Sequence, residues 1–190
     1  PVKERWHKRL GRVITDDGWR KIFLTHHKSG LESKFIWLQI RLIQNILGTN
    51  KRMNTIRPQE YPSPLCTFCD RENETIIHLF HECPFIGSVW LKFEEWIGNH
   101  GYTNIKISRL MRLFNAHGKD AKDPLNICLM IIRFFVWYCK CTKTVPNFMA
   151  SLQYLKFYLK SVKASYLIKG KVEEYHRIWS NFEEWIENDE

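Results

Sequence analysis

Three cysteines and one histidine follow one another at spacings that suit a metal site. They are Cys66, Cys69, His78 and Cys83, in the pattern C-x2-C-x8-H-x4-C. Thiolate sulfur and imidazole nitrogen are the ligands that zinc takes in structural sites, where four of them form a tetrahedron. Because four protein ligands leave no open position for a catalytic water, the sequence predicts one structural zinc ion per chain.

The residues around this pattern predict how its ligands converge. The first two cysteines are separated by only two residues, a spacing typical of zinc knuckles, so a single tight turn presents both thiols. A short helix is predicted over residues 74–81, and it directs His78 inward. Pro84 disfavours the helical conformation at Cys83, so the chain leaves the helix there and the last thiol can swing back to the metal.

A second histidine and the remaining cysteines offer alternatives to this ligand set. His81 is a rival ligand, but it lies only two residues before Cys83, and both side chains would strain to reach one ion. His78 is therefore preferred. The cluster also fits the buried thiols of an ordinary core, but four ligand types at compatible spacings seldom coincide. Three further cysteines lie in or beside the most apolar segment, where free thiols behave as small hydrophobic groups, and they indicate no second metal site: Cys128, Cys139 and Cys141.

Helix signals outnumber strand signals along the rest of the chain. The sequence therefore predicts an all-α fold, a helical domain with a small CCHC zinc knuckle inserted between helices. The predicted helices have capping residues at their ends and an apolar stripe on one face. They are a helix capped by Thr15 or Asp16, one over 33–47 that ends at Gly48, one over 84–97, one that starts at Asp123 and Pro124, one from Asn147 to Gly170, and one over 171–186.

Stretches rich in proline or glycine predict where the chain leaves its helices. Residues 58–64 hold three prolines, which favours a stiff, extended connection into the cysteine cluster. This connection divides the chain into an N-terminal helical segment (1–57), a knuckle with its following helix (58–100) and a C-terminal helical segment (101–190). Residues 117–123 predict a mobile loop.

The most apolar segment covers residues 127–139 and contains Arg133. A membrane-spanning helix needs about twenty apolar residues, so this shorter segment predicts a buried helix and no membrane association. The start of the chain shows no secretory signal pattern, which indicates an intracellular protein, cytoplasmic and nuclear. Because the chain opens on Pro1 rather than on methionine, we expect it to be a piece of a longer polypeptide.

The chain carries an excess of positive charge, with 29 Lys and Arg against 20 Asp and Glu and a formal net charge of +9. Such an excess favours a polyanionic partner, here RNA or DNA. Two predicted surfaces combine residues that suit phosphates and unpaired bases, although each alone also fits an ordinary solvated face. The first consists of Lys34, Trp37 and Arg41, with Lys51 and Arg52 beyond the helix end, and the second consists of Lys156, Lys160 and Lys163.

The cysteine pattern and its flanking segments resemble the C-terminal region of non-LTR (LINE-type) retrotransposon reverse transcriptases. The pattern C-x2-C-x8-H-x4-C is the most specific part of the resemblance. It is followed by PFIGSVWLKFEEWI and preceded by SPLC and KFIWLQIRLIQNILGTNKRMNTI. The opening KERWHKRLG with DDGWRKIF is similar to the segment that follows the thumb in those proteins, and FFVWYCKCTKTVPNFMASLQYLK is similar to their final helical part.

This resemblance implies a zinc-containing C-terminal domain that engages the RNA template, the target DNA or both during target-primed reverse transcription. The upstream reverse transcriptase segment is then a further partner, and no small-molecule substrate is expected. The family's zinc ligands carry over to the four residues of the cysteine pattern. Catalysis does not carry over, because the polymerase and endonuclease parts would lie upstream.

One acidic pair has the residue types of catalytic carboxylates. Asp16 and Asp17 lack a surrounding strand or hairpin pattern, and Gly18 and Trp19 open a helical pattern after them. We therefore interpret them as a helix start and expect no catalytic residues in the chain. The alternative function is a protein-interaction scaffold that docks on the polymerase or another partner. Binding that weakens steeply with salt would favour nucleic acid over this alternative.

Overall fold

The computed structural model describes residues 2–115 and 122–188. The fold is 69% helical and has no strand within those residues, which confirms the all-α prediction. A π-helical turn covers His78–Glu82 and a 3₁₀ turn covers Ser180–Phe182. The described α-helices are α1 (Val2–Leu10), α2 (Asp16–Lys28), α3 (Ser33–Ile43), α4 (Asn50–Ile56), α5 (Pro84–Gly98), α6 (Arg109–Phe114), α7 (Pro124–Thr142), α8 (Phe148–Ile168), α9 (Val172–Trp179) and α10 (Glu183–Glu187).

Helix α7 lies at the centre of the core. Every side chain from Leu125 to Ile132 is 2% exposed or less, and the helix packs against α3, α6, α8 and the π-helical turn. Among the described helices, α7 alone is long and apolar enough to cross a membrane, but 67% of its apolar stretch is buried. The predicted buried helix is thus confirmed. Core residues from all three predicted segments of the chain form one continuous cluster.

A charged side chain lies inside this core. Arg133 of α7 is fully buried, and its guanidinium donates to the carbonyl oxygens of Met111 and Arg112 at 3.1 and 3.0 Å. It also donates to the side chain of Asn115, the residue that ends α6 in the left-handed conformation. Burial lowers the pKa of Arg133 to about 9. Since the carbonyl end of a helix carries partial negative charge, these bonds hold α6 against α7.

The predicted helix ends are confirmed where a capping side chain marks them. Thr15, rather than Asp16, caps α2, while Asp123 caps α7 and Asn147 caps α8. In each case the side-chain oxygen accepts a hydrogen bond from a backbone N–H of the first turn. Gly170 follows α8 in the left-handed conformation, with φ 65°, as expected for a glycine that ends a helix.

The helix predicted over 33–47 is too long, because α3 ends at Ile43. Asn45 takes the left-handed conformation, with φ 57°. The N–H of Ile46 then donates to the carbonyl oxygen of Arg41 at 2.9 Å, which closes the helix end as in a Schellman motif. The chain therefore turns before Gly48, and Ile46, which continues the apolar spacing of α3, is 49% exposed.

Other segments also differ from the predicted pattern. The proline-rich connection begins with a turn at residues 58–60 and becomes irregular only after it. The 3₁₀ turn divides the helix predicted over 171–186 into α9 and α10. The short helices α1, α4 and α6 were not predicted. Residues 117–121 of the predicted mobile loop lie outside the described residues.

Candidate metal centre

Cys66 and Cys69 lie in a loop that hydrogen bonds close on itself. The N–H of Cys66 donates to the carbonyl oxygen of Glu72 at 2.8 Å, and the N–H of Asp70 donates to that of Cys66 at 2.9 Å. Asp70 takes the left-handed conformation, with φ 50°. The chain therefore reverses just after the second cysteine, and both thiols reach the same site.

His78 and Cys83 lie at the two ends of the π-helical turn. The N–H of Cys83 donates to the carbonyl oxygen of His78 at 2.9 Å, which is the i to i+5 bond of a π-helix. In an α-helix, five residues turn through about 500° and would leave the two side chains about 140° apart. The wider turn returns them to one side. Cys83 is extended, with ψ 129°, which confirms the effect expected of the proline that follows it.

The ligand atoms of the four predicted residues lie within 4.8 Å of one another. Cys66 Sγ is 3.9 Å from Cys83 Sγ, and Cys69 Sγ is 3.3 Å from His78 Nε2. Zinc bonds of about 2.3 Å to sulfur and about 2.0 Å to nitrogen imply tetrahedral separations of roughly 3.8 Å between two sulfurs and roughly 3.5 Å between sulfur and nitrogen. The spacing of the cluster therefore fits a tetrahedral zinc ion, and metal binding by these residues stays a prediction.

Hydrogen bonds and burial shift the pKa values of two thiols of the cluster, those of Cys66 and Cys83. The hydrogen bond between Cys66 and Cys83, together with burial, raises the pKa of Cys66. The same hydrogen bond lowers the pKa of Cys83, and backbone N–H groups at the start of α5 lower it further, because a helix N-terminus favours a thiolate. A metal ion must displace protons from these thiols, so we expect its binding to release protons.

The rival ligand His81 lies on another side of the π-helical turn. Its Nδ1 atom is 3.4 Å from Arg112 Nη1, and burial, followed by the charges of Arg112 and Arg109, lowers its pKa. His81 is also not among the residues whose ligand atoms converge. The geometry therefore favours His78 as the ligand, in agreement with the choice made from the sequence spacing.

We expect His81→Ala to retain one zinc ion per chain and His78→Ala to lose it, because His78, unlike His81, has a ring nitrogen directed at the cysteine thiols. Elemental analysis of protein purified without chelators measures the difference. The exposed His27 provides a control, since His27→Ala should bind zinc like the wild type. Zinc loss in the His81 variant, with zinc retained in the His78 variant, would exchange the two assignments.

A buried carboxylate next to the cluster joins three parts of the chain. Glu74 is 0% exposed, and its Oε1 atom accepts from the N–H of Asn50 at 2.8 Å and lies 3.4 Å from Lys140 Nζ. Its Oε2 atom accepts from the N–H and the hydroxyl of Thr67 at 2.9 and 2.7 Å. The cysteine loop, the start of α4 and the end of α7 are thus tied to one side chain. The sequence does not reveal this role of Glu74, since nothing local distinguishes it from the exposed Glu72.

Most residues of the first predicted nucleic-acid surface are exposed on α3 and α4. Lys34 differs, because its ammonium pairs with Glu32 at 2.7 Å and donates to Tyr158 Oη at 2.9 Å. Its charge is therefore already balanced by a carboxylate. The exposed members are Trp37, Arg41, Lys51 and Arg52.

Two lysines of the second predicted surface, which consists of Lys156, Lys160 and Lys163, are only partly exposed, and each of the two has a partner within the chain. The ammonium of Lys156 donates to the carbonyl oxygen of Asn188, and that of Lys163 pairs with the carboxylate of Glu187. The physical reason is that the last helices fold back along α8. They do so because they carry four large side chains that are 1% exposed or less: Tyr175, Trp179, Phe182 and Ile186. Lys160 is exposed.

The first half of the chain matches a known protein family. Residues 2–90 match the model of the family described as zinc-binding in reverse transcriptase, and the matched part contains all four residues of the cluster. No curated protein gives a significant match to the chain. The family match and the Cys3His cluster together support a zinc-binding domain associated with reverse transcriptases, and zinc as the metal follows from the family's description.

Proposed function

We propose that the chain is the zinc-stabilised, non-catalytic C-terminal part of a LINE-type reverse transcriptase and that it binds nucleic acid. In this role it engages the RNA template, the target DNA or both during target-primed reverse transcription, next to the upstream reverse transcriptase segment. The observation that carries the proposal is the Cys3His cluster inside the region that matches the zinc-binding family. With four protein ligands, the zinc ion stabilises the fold and performs no chemistry.

The distribution of charge supports nucleic acid as the ligand. Within residues 2–115 and 122–188, none of the ion pairs involves Arg9, Arg41, Lys51 or Arg52. Cations without a carboxylate partner remain available to phosphates, and their contacts with phosphates release counterions from the nucleic acid.

The surroundings of the acidic pair support a non-catalytic role. Asp16 and Asp17 begin α2, where carboxylates interact favourably with the helix N-terminus. Asp16 pairs with Lys3 at 2.6 Å and Asp17 pairs with Lys21 at 2.8 Å, all on the surface. Each carboxylate thus has a structural partner, as the helix-start interpretation predicts.

A protein partner is the second candidate, and exposed apolar side chains on α8 favour it. Three of them project into solvent: Met149 at 65% exposure, Phe157 at 65% and Ile168 at 87%. Such a face fits the scaffold function, in which the domain docks on the polymerase segment. Association through it should depend little on salt, because burial of apolar surface is not screened by ions.

We expect the zinc-loaded 190-residue chain to bind RNA and DNA with an affinity that falls as salt rises. If four cations each contact one phosphate of a single strand, the log–log slope is about −3, and the affinity falls about 50-fold between about 50 mM and about 200 mM salt. Fluorescence anisotropy with structured RNA, single strands and duplex DNA measures both quantities. Absence of binding to all three ligands at low salt would contradict the proposal, and salt-independent association with the polymerase segment would then support the scaffold.

A further inference from the structure

Two hollows adjoin each other on the surface formed by α3, α4 and α7. The aromatic hollow has a volume of about 360 Å³, and the basic hollow has a volume of about 230 Å³. The side chain of Leu47 lines both, so they meet there. Residues of the aromatic hollow include Lys34, Trp37, Arg41, Phe134 and Trp137, and those of the basic hollow include Arg9, Lys51, Arg52, Thr55 and Thr75.

The aromatic hollow presents an indole ring to solvent. Trp37 is 59% exposed, although four other tryptophans of the chain are 1% exposed or less. Trp137, across the hollow, is half-buried and carries the ammonium of Lys140 5.6 Å from its ring centre. A large aromatic side chain left exposed beside a cation is the type of platform on which proteins stack unpaired bases.

The charged side chains that line the two hollows are all positive. None of the described residues that line either hollow is acidic, and the cations among them are Lys34, Arg9, Arg41, Lys51 and Arg52. A third hollow on the surface, by contrast, contains Glu94 and Glu95. Lys34 is balanced by a carboxylate outside the hollow, at 2.7 Å. The other four cations make no ion pair within the described part of the chain, so the field of the two hollows attracts an anion.

The metal centre and the basic hollow are built from the same segment of chain. Thr75 and Ile76 line the hollow and lie just before Ile77, the residue that precedes the π-helical turn. The N–H of Lys51 donates to the carbonyl oxygen of Glu74 at 3.3 Å. The segment that leads into the metal centre therefore forms one wall of the hollow and contacts the start of α4, from which Lys51 projects.

We propose that the two hollows form one track for a single strand of RNA or DNA, with an unpaired base stacked on Trp37 and phosphates held by Arg41, Lys51 and Arg52. This inference rests on the proposed nucleic-acid function and assigns its ligand class and position. A duplex fits less well, because its bases are already stacked on one another and present no free face to an indole ring. The shared chemistry of RNA and DNA single strands is a polyanionic backbone with exposed base faces.

The test compares Trp37→Ala with wild type in the full zinc-loaded chain, using labelled oligo(U), oligo(dT) and a duplex DNA as probes. Stacking of one base contributes about 1–3 kcal/mol, so single-strand affinity should fall about 5- to 150-fold. The salt slope and the duplex affinity should stay unchanged. Trp37→Phe should recover part of the loss, since phenylalanine also stacks.

Two matched controls separate the track from general surface effects. Phe157→Ala removes an aromatic side chain that is 65% exposed and lines neither hollow, so it should not alter single-strand binding. Arg41→Gln should flatten the single-strand salt slope by about 0.7, while Lys92→Gln, an equal charge change on α5, should not alter it. Unchanged zinc content in every variant shows that the fold is intact.

Each contrary outcome contradicts one identifiable proposal. If wild type binds single strands and Trp37→Ala binds them equally well, the track is wrong and the general nucleic-acid function stands. If Trp37→Ala weakens duplex and single strand equally, base stacking is wrong. If Trp37→Ala retains nucleic-acid binding but loses association with the polymerase segment, the hollow is a protein-docking site and the track is again wrong. If wild type binds none of the probes, the proposed function itself fails.

Discussion

Cys69→Ser should leave the chain without its zinc ion and lower its free energy of unfolding by more than about 4 kcal/mol. The expected loss is this large because the binding free energy of a structural zinc ion is folding free energy, on the order of 10 kcal/mol in zinc-finger peptides. The effect should reach beyond the cysteine loop, since Leu79 and Phe80 in the π-helical turn are fully buried in the shared core.

Among the four candidate ligands, Cys69 is the most suitable one to replace, because the effect of losing the metal is then least mixed with changes in core packing. It is the only partly exposed residue of the four, so replacing its sulfur with oxygen changes little core packing. Cys141→Ser is the matched control, because Cys141 is an exposed cysteine outside the cluster, and it should change neither zinc content nor stability. Elemental analysis gives the stoichiometry, and urea unfolding followed by circular dichroism gives the free energy.

Two results would contradict this prediction. One is a gently purified wild-type protein that contains no zinc and gains no stability when zinc is added. The other is a Cys69→Ser variant that holds as much zinc as the wild type. Treatment of the wild type with a strong chelator should reproduce the instability of the variant, and added zinc should reverse it for the wild type alone.

The parts of the fold that the sequence predicts correctly are those governed by residues close together in the chain. The spacing identifies the four residues whose ligand atoms converge in the structure, and the extended conformation of Cys83 follows from its neighbour Pro84. The starts of α7 and α8 follow from the capping side chains of Asp123 and Asn147. For Cys83 and the two helix starts, the decisive interaction spans five residues or fewer, and the four candidate ligands lie within a single stretch of the chain, 66–83.

The predictions from the sequence differ from the structure where a residue outside the hydrophobic pattern, or a contact with a distant part of the chain, determines the conformation. The 33–47 pattern continues as far as Ile46, but Asn45 ends α3 by adopting a left-handed conformation that glycine was expected to provide. The second predicted surface, on α8, was derived from periodicity, which describes one helix alone. The periodicity of α8 carries no information about α9 and α10. These helices fold back along α8, so that Asn188 and Glu187 contact Lys156 and Lys163.

The burial of Glu74 could not be predicted for the same reason. Its partners Asn50 and Lys140 lie far from it in sequence and on different helices. A carboxylate that is 0% exposed is stable only when hydrogen bonds and an opposite charge compensate for its lost hydration. Here both requirements are met only after α4, the cysteine loop and the end of α7 have come together. The burial of Glu74 is therefore a property of the assembled fold rather than of the local sequence.

Glu74→Gln should lower the free energy of unfolding by about 3–5 kcal/mol, the usual effect of removing one partner from a buried ion pair. The N–H groups of Asn50 and Thr67 donate to the carboxylate, and the ammonium of Lys140 forms an ion pair with it at 3.4 Å. Whichever way a glutamine amide is turned, its NH2 group must face a donor, and Lys140, whose side chain is 12% exposed, loses its counter-charge. Urea unfolding measures the change.

Glu72→Gln provides the control for this prediction, since it makes the same change at an exposed position of the same loop and should alter stability by less than about 0.5 kcal/mol. Lys140→Met should also destabilise the fold, because it leaves Glu74 charged, buried and without a cation. The double variant should then be more stable than the sum of the two single effects implies, since neither charge remains to be left unpaired. Additive effects would show that Glu74 and Lys140 stabilise the fold independently, and the carboxylate would then act only through its hydrogen bonds to Asn50 and Thr67.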